Sequence, residues 1–326
     1  MNYNIYKLVD WISESNLKWE ELCKNPNQYA IHLLEKHLDK INWEELALNP
    51  NAIHLLEQNQ DKINWRYLSL NPNAIHLLEQ NPDKINWRNL SLNPKAIHLL
   101  EQNPNKIYWK YLSKNPNAIH LLERNIDKID WSRASFNPNA ISLLEKYPDK
   151  INYINLSLNP NAIHLLEQNC NKIMFEIYFE IYLFWHRLSE NINAISLLEQ
   201  NQDKINWIAL SLNPNAIDLL EQNKDKINWA YLSKNPAAIN ILEKNVDKIK
   251  GYFLSQNPNA ISLLERNQHK INWKNLSMNP SIFEPDYLAM SLVRTHIIYQ
   301  ELMEKALHPS RVLKWIKHEE EEDIDF

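Results

Sequence analysis

One phrase of 22 residues, NPNAIHLLEQNQDKINWRYLSL from Asn49, returns at Asn71, Asn93, Asn115, Asn137 and Asn159. After one interruption it resumes at Asn191, Asn213, Asn235, Asn257 and Asn279. A short period held this long marks a repeat array, in which each unit buries its apolar surface against the next copy. The 326-residue length therefore does not count domains in the usual way, because a stacked array is one body however long it grows. Arrays of this kind mostly present extended binding surfaces.

Each phrase reads as two short helices. Asn49 is placed to cap the first, with Pro50 behind it where a missing N–H costs nothing. Ala52, Ile53, Leu55 and Leu56 make an apolar arc at helical spacing. Asn59 is expected to end the helix in the left-handed conformation, and Pro82, Pro104 and Pro148 mark a break just beyond that position. Asp61 is then expected to cap a second helix carrying Ile63, Trp65 and Leu68. A 22-residue unit buries too little surface to stand alone, so the pattern predicts an all-α fold. It is an α-solenoid of about eleven short helix-turn-helix repeats stepping roughly 10 Å each, with caps at both ends. A leucine-rich repeat is the rival, since LSLNPNAI resembles its LxLxxNxI core. Charged residues at Lys114, Glu190 and Lys234, and breaks at Lys95 and Ala237 in the asparagine column such a core would use, favour helices.

The expected divisions are a helical cap over 1–24, the array over 25–282, a helical cap over 283–317 and an acidic tail over 318–326. The array is interrupted by an insertion at 174–183, MFEIYFEIYL. The insertion alternates apolar and polar residues as a strand would, but its repeated FEIY equally suits a lengthened helix, which is preferred. Tyr153 and Gly251 replace the usual Trp and Ala134 the usual Leu, so their units are expected to be the softest.

Composition closes off many kinds of site. The chain has one glycine, where average usage would place roughly twenty. Phosphate-binding loops, dinucleotide turns and nucleophile elbows all need glycines it lacks. A net charge of −5 gives no basic footprint, so no nucleic-acid partner is expected. No apolar run approaches the ~20 residues that cross a bilayer, so no membrane partner is expected either. The first residues lack a signal-peptide layout, and Cys23 and Cys170 stand far apart, which together suit a reducing cytoplasmic setting.

His32, His54, His76, His98, His120 and His164 recur at one position. A metal needs ligand nitrogens within ~2.1 Å, whereas stacked copies stand roughly 10 Å apart, so these are read as surface residues able to charge near neutral pH. Glu57 and Lys62 suggest a surface ion pair, and the Trp column reads as core rather than as a base-stacking platform. No catalytic constellation or cofactor motif stands out, so a non-enzymatic role is expected.

Copies differ most at the two residues after the Trp. A partner-reading face would therefore use Arg66, Tyr67, Arg88, Asn89, Lys110, Tyr111, Arg133 and Tyr231. The insertion offers a second surface, through Phe175, Tyr178, Phe179 and Tyr182, suited to a partner or to self-association.

The phrase NPNAIHLLEQN…DKINW…LS resembles repeat proteins encoded in large numbers by giant DNA viruses of the mimivirus type. The resemblance covers about residues 25–282, and the ending from NPSIFEPDY through HPSRVLKWI looks like their shared C-terminal segment. It implies action in a host cytoplasm or packaging in a virion, and it carries over no catalytic residue. The expected function is a protein-interaction scaffold, or else a structural component assembling through its ends or the insertion.

Overall fold

The computed structural model describes residues 5–169 and 178–313. The chain forms two compact units, one spanning Glu14–Ser281 and the other holding both chain ends.

The larger unit is the helical repeat array. In a representative copy the Asn71 side-chain carbonyl accepts from the Asn73 N–H at 3.0 Å. The intervening proline drives its asparagine into the extended region that this turn needs, as at Asn213 with φ −74° and ψ 116°. Helix Ile75–Gln80 follows and buries Leu77 and Leu78. It stops where the Asn81 amide donates to the Leu77 carbonyl at 3.0 Å. Among the described residues no φ is positive, so this asparagine column ends its helices by side-chain bonding rather than by the expected left-handed turn. A 3-10 turn, Pro82–Lys84, leads to Asn86, which caps helix Trp87–Leu90 through the Asn89 N–H. The cap of the second helix is thus the residue before Trp, not the Asp61 column, which lies within the 3-10 turn. Ser91 completes the unit: its hydroxyl donates to the Trp87 carbonyl and accepts from the Tyr108 N–H of the next copy.

The asparagine that opens each phrase does more than cap. The Asn93 amide donates to the Ser69 carbonyl at 3.2 Å and the Asn71 carbonyl at 3.0 Å, both in the preceding copy. Equivalent bonds recur from Asn49 to Asn279, all at buried positions. A buried asparagine ladder therefore exists. It lies two residues before the positions whose substitutions, Lys95 and Ala237, argued against one. The units around it are helical, as the periodicity predicts, and not leucine-rich.

The ladder has no end. The Asn25 amide donates to the Ser277 carbonyl at 3.0 Å and the Asn279 carbonyl at 2.9 Å. The Lys18 N–H donates to the Ser277 hydroxyl at 2.8 Å, and the Asn27 amide to the Pro280 carbonyl at 3.2 Å. Each repeats a bond that a unit makes with its predecessor. The Glu14–Ser281 unit is thus a closed ring of twelve copies, which we number from helix Trp19–Leu22 as unit 1 to helix Trp273–Ser277 as unit 12. At ~8–10 Å per step the loop is roughly 30–40 Å across. Residues 14–24, expected in a cap, instead supply unit 1. Close approaches between successive units run through Trp helices, as from Trp229–Lys234 to Gly251–Leu254, and through the turns that open the Ile helices, as from Pro214–Ala216 to Pro236–Ala238. In unit 8 the Trp helix is lengthened to Tyr178–Glu190, so residues 178–183 of the insertion take the preferred helical conformation, and residues 174–177 lie outside the described residues.

In the second unit Tyr6–Leu8 pairs antiparallel with Phe283–Pro285, with Lys7 opposite Glu284. The N-terminal segment expected to be helical is here a strand. Asp286 then caps helix Tyr287–Glu301 through the Ala289 N–H.

The ring seam carries a titratable group. Glu21 of unit 1 meets Lys24 at 3.1 Å and Lys274 of unit 12 at 3.2 Å. Burial pushes its carboxyl up, but the hydrogen bonds and charges of the two lysines outweigh it and hold the group below its ordinary range. A depressed folded value stabilises the ring above the unfolded value, and the contribution fades as pH falls toward the folded one. Glu21→Gln is therefore expected to lower the urea midpoint at pH 7, with the gap to wild type closing below about pH 4. A gap unchanged at acid pH would contradict this.

Candidate functional site

Two polar columns decorate the stack between units. His98 meets Glu79 of the preceding unit at 2.7 Å, His120 meets Glu101 at 2.9 Å and His164 meets Glu145 at 3.0 Å, and His54 and His76 pair with Glu35 and Glu57. The glutamate column thus bonds to histidine of the next copy and not to Lys62. Burial pushes the Glu35 carboxyl up, yet bonds from His54 and His32 leave it below its ordinary range. The lysines lie over the preceding unit's indole instead: Lys62 over Trp43 at 4.9 Å, Lys106 over Trp87 at 4.5 Å and Lys248 over Trp229 at 4.6 Å. The tryptophans are half-buried, with one side on the core and one beneath a lysine. Sequence spacing hid both pairings, because each joins residues 19 apart across a unit boundary that only the stacking register defines.

The face of the Trp helices turned away from the core carries the variable residues. Arg66, Arg88 and Lys110 are exposed, and Tyr67, Asn89, Tyr111, Arg133 and Tyr231 are half-buried. They form a continuous row because each occupies the same turn of its own unit. Asn89 spends its amide on the Arg66 carbonyl at 2.7 Å, and Asn155 and Asn275 do likewise on Ser132 and Tyr252, so this asparagine ties neighbouring units together. Arg88 lies over the Tyr111 ring at 4.7 Å and bonds its hydroxyl, while Arg133 approaches the same ring at 5.1 Å. Tyr231 packs against Phe253 with ring centroids 5.6 Å apart.

The structure adds two cations that the sequence reading passed over. Lys114 and Arg187 lie over the Phe136 ring at 5.6 and 5.3 Å. Arg187 follows Trp185 by two residues as Arg133 follows Trp131, so its column was legible once the insertion was set aside. In the insertion Tyr182 is 52% exposed and accepts a bond from the Asn206 amide of unit 9 at 3.3 Å. Phe175 and the side chains of Tyr178 and Phe179 lie outside the described residues.

Compared with protein-family models, with curated proteins and with solved structures, the chain finds no match in any of the three. No described helix is long and apolar enough to cross a membrane.

Proposed function

We propose that the chain is a non-enzymatic scaffold whose ring of Trp helices binds a partner protein along the face turned away from the core. One observation carries this reading. The ladder asparagine is the same in all twelve units while the two residues after the Trp change from unit to unit, from Glu44-Glu45 through Arg88-Asn89 to Tyr252-Phe253. A constant interior with a varied surface row is how a repeat array separates stability from recognition. The reading also keeps the resemblance to giant-virus repeat proteins, with host or viral proteins as partners in the cytoplasm or virion. Affinity capture with the intact chain is expected to return a stoichiometric protein that is lost when Tyr67, Tyr111 and Tyr231 are changed together to Ala. Undiminished capture would contradict it.

Self-association is a second reading, and one observation favours it. Helix Tyr287–Glu301 buries none of its residues, and Tyr287, Leu288, Leu292 and Tyr299 are 77%, 73%, 65% and 59% exposed. An apolar surface of this kind marks a contact site. Sedimentation is expected to show oligomers that dissociate in Leu288→Glu/Leu292→Glu; a monomer at every concentration would contradict it. Assembly through the repeat ends is less favoured, because units 1 and 12 already satisfy each other.

A further inference from the structure

If the varied row binds a protein, as proposed above, its charges specify the chemistry of that protein. Around the ring the two residues after the Trp position are segregated. Units 1 and 2 hold Glu20, Glu21, Glu44 and Glu45, while units 9 to 11 hold only uncharged residues there, Ile208 to Phe253. Units 3 to 8 between them carry Arg66, Arg88, Lys110, Arg133 and Arg187 at these positions, joined by Lys114 five residues after Trp109, a place that Lys234 holds in unit 10. Among the described residues three carboxylates stand on the Trp helices of this arc or at their caps: Asp130, 3.8 Å from Arg133, Glu190, 3.7 Å from His186, and Glu180 in the first turn of the unit 8 helix. Among the described residues the other five cations of the arc form no ion pair. At the seam, by contrast, Lys24 and Lys274 are taken up by Glu21 and Glu45. The arc is thus a positive stretch left uncompensated on a chain of net charge −5.

We propose that the arc over units 3 to 8 binds an extended acidic peptide segment of the partner protein. Two features select this over single-stranded nucleic acid. Arg88 and Arg133 come at Tyr111 from the units on either side, and Phe136 of unit 6 is met by Lys114 of unit 5 and by Arg187, which reaches across unit 7 from unit 8. The rings that would stack bases are already covered by cations. The same contacts hold three guanidinium groups, of Arg88, Arg133 and Arg187, against rigid rings, which leaves less side-chain freedom to lose when their N–H forks meet carboxylates. Spacing agrees as well. An extended chain rises ~3.3 Å per residue and units step ~8–10 Å, so an acidic side chain at about every third residue meets successive units.

The test is fluorescence anisotropy on the full chain. The probes are a labelled (Glu-Ser-Thr) repeat peptide of about 15 residues, its Lys-for-Glu counterpart and an oligothymidylate of equal length. The acidic peptide is expected to bind saturably, more weakly as salt rises. Its affinity should fall at least ~10-fold in Arg88→Gln/Arg133→Gln, and comparably in Arg66→Gln/Lys110→Gln, which disturbs no ring sandwich. Lys146→Gln, on an Ile-Ser-Leu-Leu helix, should bind as wild type. Three results would overturn the proposal: no saturable binding at low salt, equal affinity across the arc variants, or tighter binding of the oligonucleotide. Were the peptide to fail while the tyrosine variants still lost a captured partner, acidic recognition alone would fall. Failure of both would remove the interaction face with it.

Discussion

Asn115→Asp should unfold the ring far more readily than any surface change. Asn115 is 1% exposed, and its amide donates to the Ser91 and Asn93 carbonyls at 3.1 and 3.0 Å. Its side-chain carbonyl accepts from the Asn117 N–H at 3.0 Å. Aspartate keeps the acceptor but loses both donations, and it sets a carboxylate against two buried carbonyl oxygens. Asn115→Ala removes all three bonds: the buried Ser91 carbonyl and the half-buried Asn117 N–H lose their partner, while the Asn93 carbonyl keeps the Ala96 N–H at 3.2 Å. A buried unsatisfied group costs about 1–3 kcal/mol, so Ala should lose at least ~1–2 kcal/mol and Asp, with its carboxylate against two carbonyl oxygens, more. Urea unfolding followed by circular dichroism would measure both, with Asn117→Asp, two residues on and exposed, as the comparison. Equal midpoints for the two aspartate variants would contradict the ladder.

Restoring the repeat's own tryptophan at Gly251 should damage the protein rather than mend it. A Cβ at Gly251 would lie 1.7 Å from the Lys270 carbonyl oxygen and 2.7 Å from its carbon. These are backbone atoms of unit 12 and cannot swing aside as a side-chain tip would. Elsewhere the corresponding lysine reaches its ammonium over an indole, as Lys226 does over Trp207 at 4.5 Å. With the ring missing, the following backbone occupies its place. Overpacking at such a contact costs about 1–3 kcal/mol, so Gly251→Ala should lose roughly that much and Gly251→Trp more. A gain in the urea midpoint for either variant would contradict this. The expectation that this unit is a soft gap overlooked that a neighbour could close it.

The parts of the fold visible in the sequence were those written within one phrase. Helix pairs, the apolar arc of Leu55 and Leu56, and the stacking they demand all follow from the period. What escaped were properties of the boundary between phrases. Asn49 before Pro50 explains itself as a cap, so nothing in a single copy reveals that its amide faces the previous unit. Ring closure is harder still, since Asn25 and Asn279 close it with the same residues that make every interior contact. One clue was present: Trp19-Glu-Glu-Leu returns 24 residues on at Trp43-Glu-Glu-Leu, which makes the supposed cap a further copy, two residues longer than the rest. The variable face was legible by comparing copies, whereas the segregation of its charges into arcs acquired meaning only once the row was seen to curve.

Ring closure is measured most directly by the distance between units 1 and 12. Spin labels at Glu20→Cys and Lys274→Cys, in a Cys23→Ser/Cys170→Ser background, would report it. Cys23 occupies the column that holds Ser69 and Ser91 in other units, where its buried thiol is pushed up to about 11, so serine is suited to that position. Adjacent helices stand ~8–10 Å apart, so the closed ring predicts a label separation of roughly 20 Å or less. An open row of twelve units would separate the labels by roughly 100 Å and give no short-distance signal, which would contradict the ring.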